Sequence, residues 1–184
     1  MNQITIHKKS VILHDLIIKK QYKNSFQIPQ ITKLLLNVGL KDSFFDKKKI
    51  LLVLLLLELI TGQKSCFTTS KKNKIYLNVK KGSIVGCKIT LRKKYLNIFL
   101  EKLIFFYFPQ EKNFKGIKVP KKFNKALNFT LKNCLNFFEL KEEFLRFQKI
   151  PPINITILTN SKNLKEMFLL LNSYQFPLLL EKRK

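Results

Sequence analysis

VKKGSIVGCKITLRKK, residues 79–94, is the stretch from which the fold can be read. From Gly86 onward the side chains alternate as strand geometry demands: Cys87, Ile89 and Leu91 point to one side, and Lys88, Thr90 and Arg92 to the other. The apolar row requires a core. The polar row sets two cations around a hydroxyl at about 7 Å spacing, close to the separation of successive phosphates along a nucleic-acid strand. A strand whose lysines merely face water has the same pattern, so the rest of the chain must decide between a solvated face and an RNA surface.

The charge balance favours RNA. Lys and Arg number 36 against 11 Asp and Glu, a net +25 over 184 residues, and such self-repulsion is best tolerated when a polyanion neutralises it. An anionic membrane surface is the second class of partner, but it calls for a basic amphipathic helix or a lipid anchor, and neither is evident. The longest apolar run, residues 50–60, is eleven residues and already contains Glu58, far short of the roughly 20 needed to span a bilayer. MNQITIHKKS has no signal-peptide core and no Arg or Ser richness, so Met1 reads as the mature start. Heavy use of Lys, Asn, Ile, Leu and Phe, with no Trp and a single Ala, is what an AT-rich coding sequence produces and points to an organelle genome.

Residues for catalysis are missing. Cys66, Cys87 and Cys134 are odd in number and far apart, which supports neither a disulfide framework nor a zinc site. His7 and His14 lack a metal spacing. Asp42 and Asp46 are explained by helix capping. The adjacent Glu142 and Glu143 diverge on a helix, which makes them a poor acid/base pair. No phosphate-cradling glycine motif is present. The expectation is a chain with no enzymatic site, no metal and no cofactor, a binding protein rather than an RNA-processing enzyme.

The elements follow in order. Residues 10–22 form an amphipathic helix, and His7 and His14 belong to an N-terminal helix surface. In ITKLLLNVG, Lys33, Leu35 and Asn37 share one strand face and Leu34, Leu36 and Val38 the other. Asp42 or Ser43 caps a Leu-rich buried helix from Phe44 that stops at Gly62, with Asp46 in its first turn. Residues 65–69 form a short strand, and 70–82 a long basic loop or hairpin arm carrying Lys71, Lys72, Lys74, Lys80 and Lys81 up to Gly82, a finger suited to phosphate.

After the organising strand, Tyr95, Leu96, Phe99, Leu100, Leu103, Ile104 and Tyr107 make the core stripe of a helix ending at Pro109. The aromatics of IFFYF belong to packing rather than to base stacking. Residues 114–125 are a second basic loop. LNFTL at 127–131 and INITILT at 153–159 are strands, the latter with Ile153, Ile155 and Ile157 inward, and Ser161 caps a last helix through Leu171. The fold class is α+β: a largely antiparallel sheet with helices packed on one face and a long basic loop extending from it. The chain reads as one domain, 1–184, with an N-terminal helix and lead-in (1–26), an α+β core (27–177) and a basic tail (178–184).

Four segments together resemble one family. FQIPQITKLLLNVG (26–39), ITGQK (60–64), VKKGSIVGCKITLR (79–92) and INITILTNSKNLKEM (153–167), with YQFP (174–177), match in order and spacing the large-subunit ribosomal proteins of the L-five type, which bind 5S rRNA. The resemblance implies a structural protein of the central protuberance whose polar sheet face holds 5S rRNA and touches large-subunit rRNA. It puts Asn37, Gln63 and Thr90 at the 5S-contacting positions, with Lys64, Lys88 and Arg92 beside them, and strand alternation sets Lys33 in the row of Asn37. It implies that loop 70–82 approaches the P-site tRNA, and that a small-subunit head protein is met across the subunit interface.

The chain departs from the family at 124–129, where both glycines and the arginine of an Asp-Gly-Arg-Gly-Asn-Tyr-like turn are lost. It departs again near Phe138, which lacks an expected proline, and in a second helix that is Leu-rich rather than Ala-rich. Such drift implies a mitochondrial ribosome, with plastid or bacterial cytoplasm as alternatives. A non-ribosomal RNA-binding or membrane-associated module is the alternative function.

Overall fold

A computed structural model of the chain describes residues 3–22, 24–40, 47–73, 75, 79–112, 114–119, 125–148 and 150–179. The amino end is helical from α1 (Gln3–His7) through a π-helical turn (Lys8–Ile12) to α2 (Leu13–Lys19). β1 (Ile31–Gly39), α3 (Lys47–Thr61), β2 (Cys66–Thr69) and β3 (Ile84–Leu91) follow. A helical path then runs through α4 (Lys93–Glu101), a π-helical segment (Lys102–Tyr107) and α5 (Phe108–Gln110). After it come β4 (Ile117–Lys118), β5 (Ala126–Leu131), α6 (Phe144–Phe147), β6 (Ile153–Thr159), α7 (Leu164–Ser173) and β7 (Leu178–Leu179). Five strands make an open antiparallel sheet in the order β2-β3-β1-β6-β5, the α+β class expected from the alternating strands and intervening helices.

The chain packs as two compact units. One comprises Met1–Leu34, Arg92–Phe129 and Thr156–Lys184, the other Leu35–Leu91 and Thr130–Ile155. In the second unit, Cys87, Ile89 and Leu91 are buried as the alternation requires, while Lys88 is exposed and Thr90 half-exposed. α3 lies against β3, with the Cys87 thiol 3.9 Å from the Ile50 carbonyl. Val53, Leu56 and Leu57 are fully buried, each contributing about 1.5–3 kcal/mol of transfer free energy. Phe137, Leu140 and Phe147 close this core from the 134–147 segment.

In the first unit, the inner stripe of the 93–110 helix is Leu96, Phe99, Leu100, Leu103 and Tyr107. Phe108 stacks on Phe114 at 4.8 Å and meets Phe129 and Phe176 at 6.2 and 5.9 Å. Edge and offset ring contacts of this kind add modestly to what area burial supplies. β4 and β7 pair in parallel, Ile117 opposite Leu178.

Several expectations need correction. The amino-terminal helix starts at Gln3, not at residue 10, because Ile4 finds a buried site that local periodicity does not reveal. The body of α3 is not wholly buried: Leu51, Leu55 and Leu59 are 60%, 40% and 40% exposed. Phe105 and Phe106 are about half exposed and leave the core to Tyr107 and Phe108. Tyr95 is likewise outside the buried stripe, and the helix carries one residue past Pro109, which sits in the first turn of α5, where no backbone donor is lost.

Ser161 does not cap α7. Its hydroxyl is buried 2.8 Å from that of Thr159, and the N-cap residue is Asn163. The capping roles given to Asp42, Ser43 and Asp46 lie outside the described residues, as does Asn124; the rest of the altered 124–129 segment is described, and residues 126–129 run as strand in β5.

Candidate nucleic-acid interface

The candidate interface is built from the turn that follows α3. Gly62 ends the helix with φ +67°, a conformation that favours glycine, and its amide donates to the Glu58 carbonyl at 2.8 Å. Thr61 Oγ1 donates to the Leu57 carbonyl at 2.7 Å and accepts from the Gln63 amide at 3.3 Å. The Glu58 carboxylate reaches forward to accept from the Ser65 amide at 3.0 Å and the Ser65 hydroxyl at 3.3 Å. Held in this way, Gln63 donates its side-chain Nε2 to the Thr90 carbonyl at 3.2 Å. The turn is thereby tied to the end of β3.

β2 and β3 are antiparallel, with Cys66 opposite Lys88 and Thr68 opposite Gly86. Directly opposed residues share a face, so Cys66, Thr68, Gly86, Lys88 and Thr90 lie on the open side. On the other flank of β3, the Leu40 amide donates to the Val85 carbonyl at 2.9 Å. A Cβ on residue 86 would collide with the Val38 carbonyl oxygen. Only glycine permits this approach, and it brings the exposed Asn37 onto the same open face as Lys88. Thr130 Oγ1 and Asn154 Oδ1, 2.9 Å apart, add a polar pair on β5 and β6.

The sequence-derived residues fall as follows. Asn37, Lys64, Lys88 and Arg92 are exposed, and Lys33, Gln63 and Thr90 are half-exposed. None points into the apolar interior. The structure brings Gln63 and Thr90 into direct contact and sets Lys64 beside them. Lys33 and Arg92 belong to the first unit.

At the base of loop 70–82, the Ser70 amide donates to the Ser83 carbonyl and the Gly82 amide to the Ser70 carbonyl, both at 2.9 Å. Asn73 Oδ1 accepts from the Lys81 amide at 2.6 Å. Gly82 has φ +87°, and Lys71, Lys72, Lys80 and Lys81 are exposed around this closed base. Lys74 lies outside the described residues. Sequence reasoning missed Glu58, Gly86 and the Thr130–Asn154 pair. The one visible signal for Glu58 was a lone carboxylate in an apolar run.

Burial pushes the Cys87 and Cys134 thiols up to about 11, which leaves both protonated and unreactive at neutral pH. Among the described residues, no group of three His, Cys, Asp or Glu side chains gathers to hold a metal ion, and no helix is long and apolar enough to cross a membrane.

Residues 24–75 match the family model of ribosomal protein L5, and residues 84–178 match the model of that family's C-terminus. The chain belongs to the ribosomal protein L5 family. Among its relatives, the large ribosomal subunit protein uL5m of Reclinomonas americana is 38% identical over 180 residues, covering 97% of this chain and 98% of the relative. The large ribosomal subunit protein uL5 of Wigglesworthia glossinidia brevipalpis is 36% identical over 179 residues, covering 96% and 98%. That of Wolbachia pipientis wMel is 37% identical over 171 residues, covering 92% and 95%. As an L5 protein the chain is a structural constituent of the large ribosomal subunit, not an enzyme, and it assembles with rRNA and ribosomal proteins.

Proposed function

We propose that the open sheet face and the 61–65 turn bind 5S rRNA and adjoining large-subunit rRNA in the central protuberance. In the second unit Lys64 and Lys88 meet phosphates while Asn37, Gln63 and Thr90 fix the register, and in the first unit Lys33 and Arg92 meet phosphates. The observation that carries this reading is the hydrogen bond from Gln63 to the Thr90 carbonyl. It sets a pre-ordered polar turn against a strand that already displays Lys88, so little side-chain freedom is lost on binding. Loop 70–82, closed at its base, extends its lysines toward the P-site tRNA, and a small-subunit head protein is met across the subunit interface. The ribosome is mitochondrial on this reading, which an AT-type composition and a mitochondrial relative at 38% identity support.

The test is a double substitution, Asn37→Ala with Thr90→Ala. Both side chains lie outside the core, so the thermal midpoint should hold while affinity for a 5S rRNA transcript in filter binding falls about tenfold or more. Unchanged affinity would remove this face from the interface.

A further inference from the structure

We propose that the outward leucines of α3, with the groove beside them, seat a segment of another protein that interleaves apolar and acidic side chains. Over residues 50–60, α3 is apolar on every side apart from Glu58. Its inner side is fully buried at Val53, Leu56 and Leu57, yet Leu51, Leu55 and Leu59, spaced i, i+4 and i+8, form a second stripe facing away from that core. A helix hydrophobic all round belongs in the interior of something larger. Half-buried Leu52, a helical neighbour of Leu55, carries the apolar surface into a groove of about 220 Å³. Leu40, Val53, Ile150 and Pro151 line it, with the 86% exposed Leu145 beside them.

The occupant follows from chemistry. Leucine methyls give RNA neither a hydrogen-bond partner nor a flat ring for stacking, and phosphates pressed against them would lose water without replacement. A second copy would bring a net +25 against a net +25. A protein segment with apolar side chains for the stripe and groove, and carboxylates for the exposed Lys48 and the chain's net +25, satisfies both constraints. Arg146 already meets Glu143 at 3.3 Å, so the complementary carboxylates fall toward Lys48 at the amino end of α3. This inference rests on membership of the large subunit and not on the 5S rRNA face.

A photo-crosslinking side chain at position 55 of the full chain, assembled into salt-washed large subunits, tests it. The expected product joins residue 55 to a protein peptide in which Asp or Glu alternates with apolar residues. A product with rRNA, lipid, a second copy or a peptide without acids overturns the proposal, as does the lack of any product. The triple variant Leu51→Ser, Leu55→Ser, Leu59→Ser should release that neighbour about tenfold more readily while binding a 5S rRNA transcript as tightly as the parent. Should the triple variant lose its fold, Leu145→Asp, at an exposed site, reads the same release. Retention at the parental level in the folded variant overturns the proposal.

Discussion

At the scale of single residues, the sheet depends on one missing methyl. Gly86 packs its backbone against the Val38 carbonyl, so Gly86→Ala must part β1 from β3 and should cost about 2–4 kcal/mol in urea unfolding. Gly39→Ala, with nothing within 4 Å of the new carbon, should stay within about 0.5 kcal/mol. Glu58 works differently, as the acceptor that shapes the turn. Glu58→Ala leaves the Ser65 amide without its partner and should cost about 1–2 kcal/mol; because Gln63 sits in the same turn, 5S rRNA affinity should fall with it.

Glu166 is the residue whose effect depends on pH. Burial pushes its carboxyl up, but the Lys20 ammonium at 2.6 Å and the Lys162 amide at 2.9 Å outweigh that and hold it below the ordinary carboxylate value of 4.5. A carboxyl lowered in the folded state stabilises above its unfolded pKa and loses that contribution as pH falls through the folded one. Unfolding curves of the parent and Glu166→Gln should therefore differ at pH 7 and converge as the pH drops below 4.5.

At the scale of elements, the 70–82 hairpin base is separable from the sheet face it springs from. Its closing hydrogen bonds run between Ser70, Gly82 and Ser83, and none involves Asn37, Gln63 or Thr90. Shortening the loop between Lys71 and Lys81 should thus leave rRNA assembly intact and impair tRNA handling in reconstituted ribosomes; failure to assemble would move the loop into the rRNA interface.

The elements also divide by how far a sequence can speak for them. β1, β3 and β6 were legible because alternation reports a half-buried strand directly, and α3 ended where Gly62 said it would. The faces of α3 were not legible, because apolar side chains on every side of residues 50–57 leave no contrast by which to tell inside from outside. Ser161 misled because a serine near a helix start has the same local signature whether it caps or, as here, turns to a buried Thr159. β4 and β7, two residues each, are too short for any period and exist only through their pairing. In the candidate site, Lys88 and Thr90 could be read from strand register, whereas the Glu58 and Gln63 bonds close over seven and 27 residues of chain and needed the fold itself.

At the scale of the whole molecule, a net charge of +25 makes affinity for RNA large and unselective, so the question is how much of binding is charge and how much is register. Salt separates them. If Lys33, Lys64, Lys88 and Arg92 each neutralise one phosphate, the logarithm of the 5S rRNA binding constant should fall with the logarithm of salt at a slope of about −3 to −4. Lys88→Gln should make that slope shallower by about one. Asn37→Ala, which removes no charge, should lower the whole line and leave its slope alone. Removing the loop cations Lys71, Lys72, Lys80 and Lys81 should leave the 5S rRNA slope unchanged if, as proposed, these lysines meet the tRNA instead. A slope that steepens with every lysine present, loop included, and ignores Asn37 would mean that the chain coats RNA through its total charge, with no face set apart to read it.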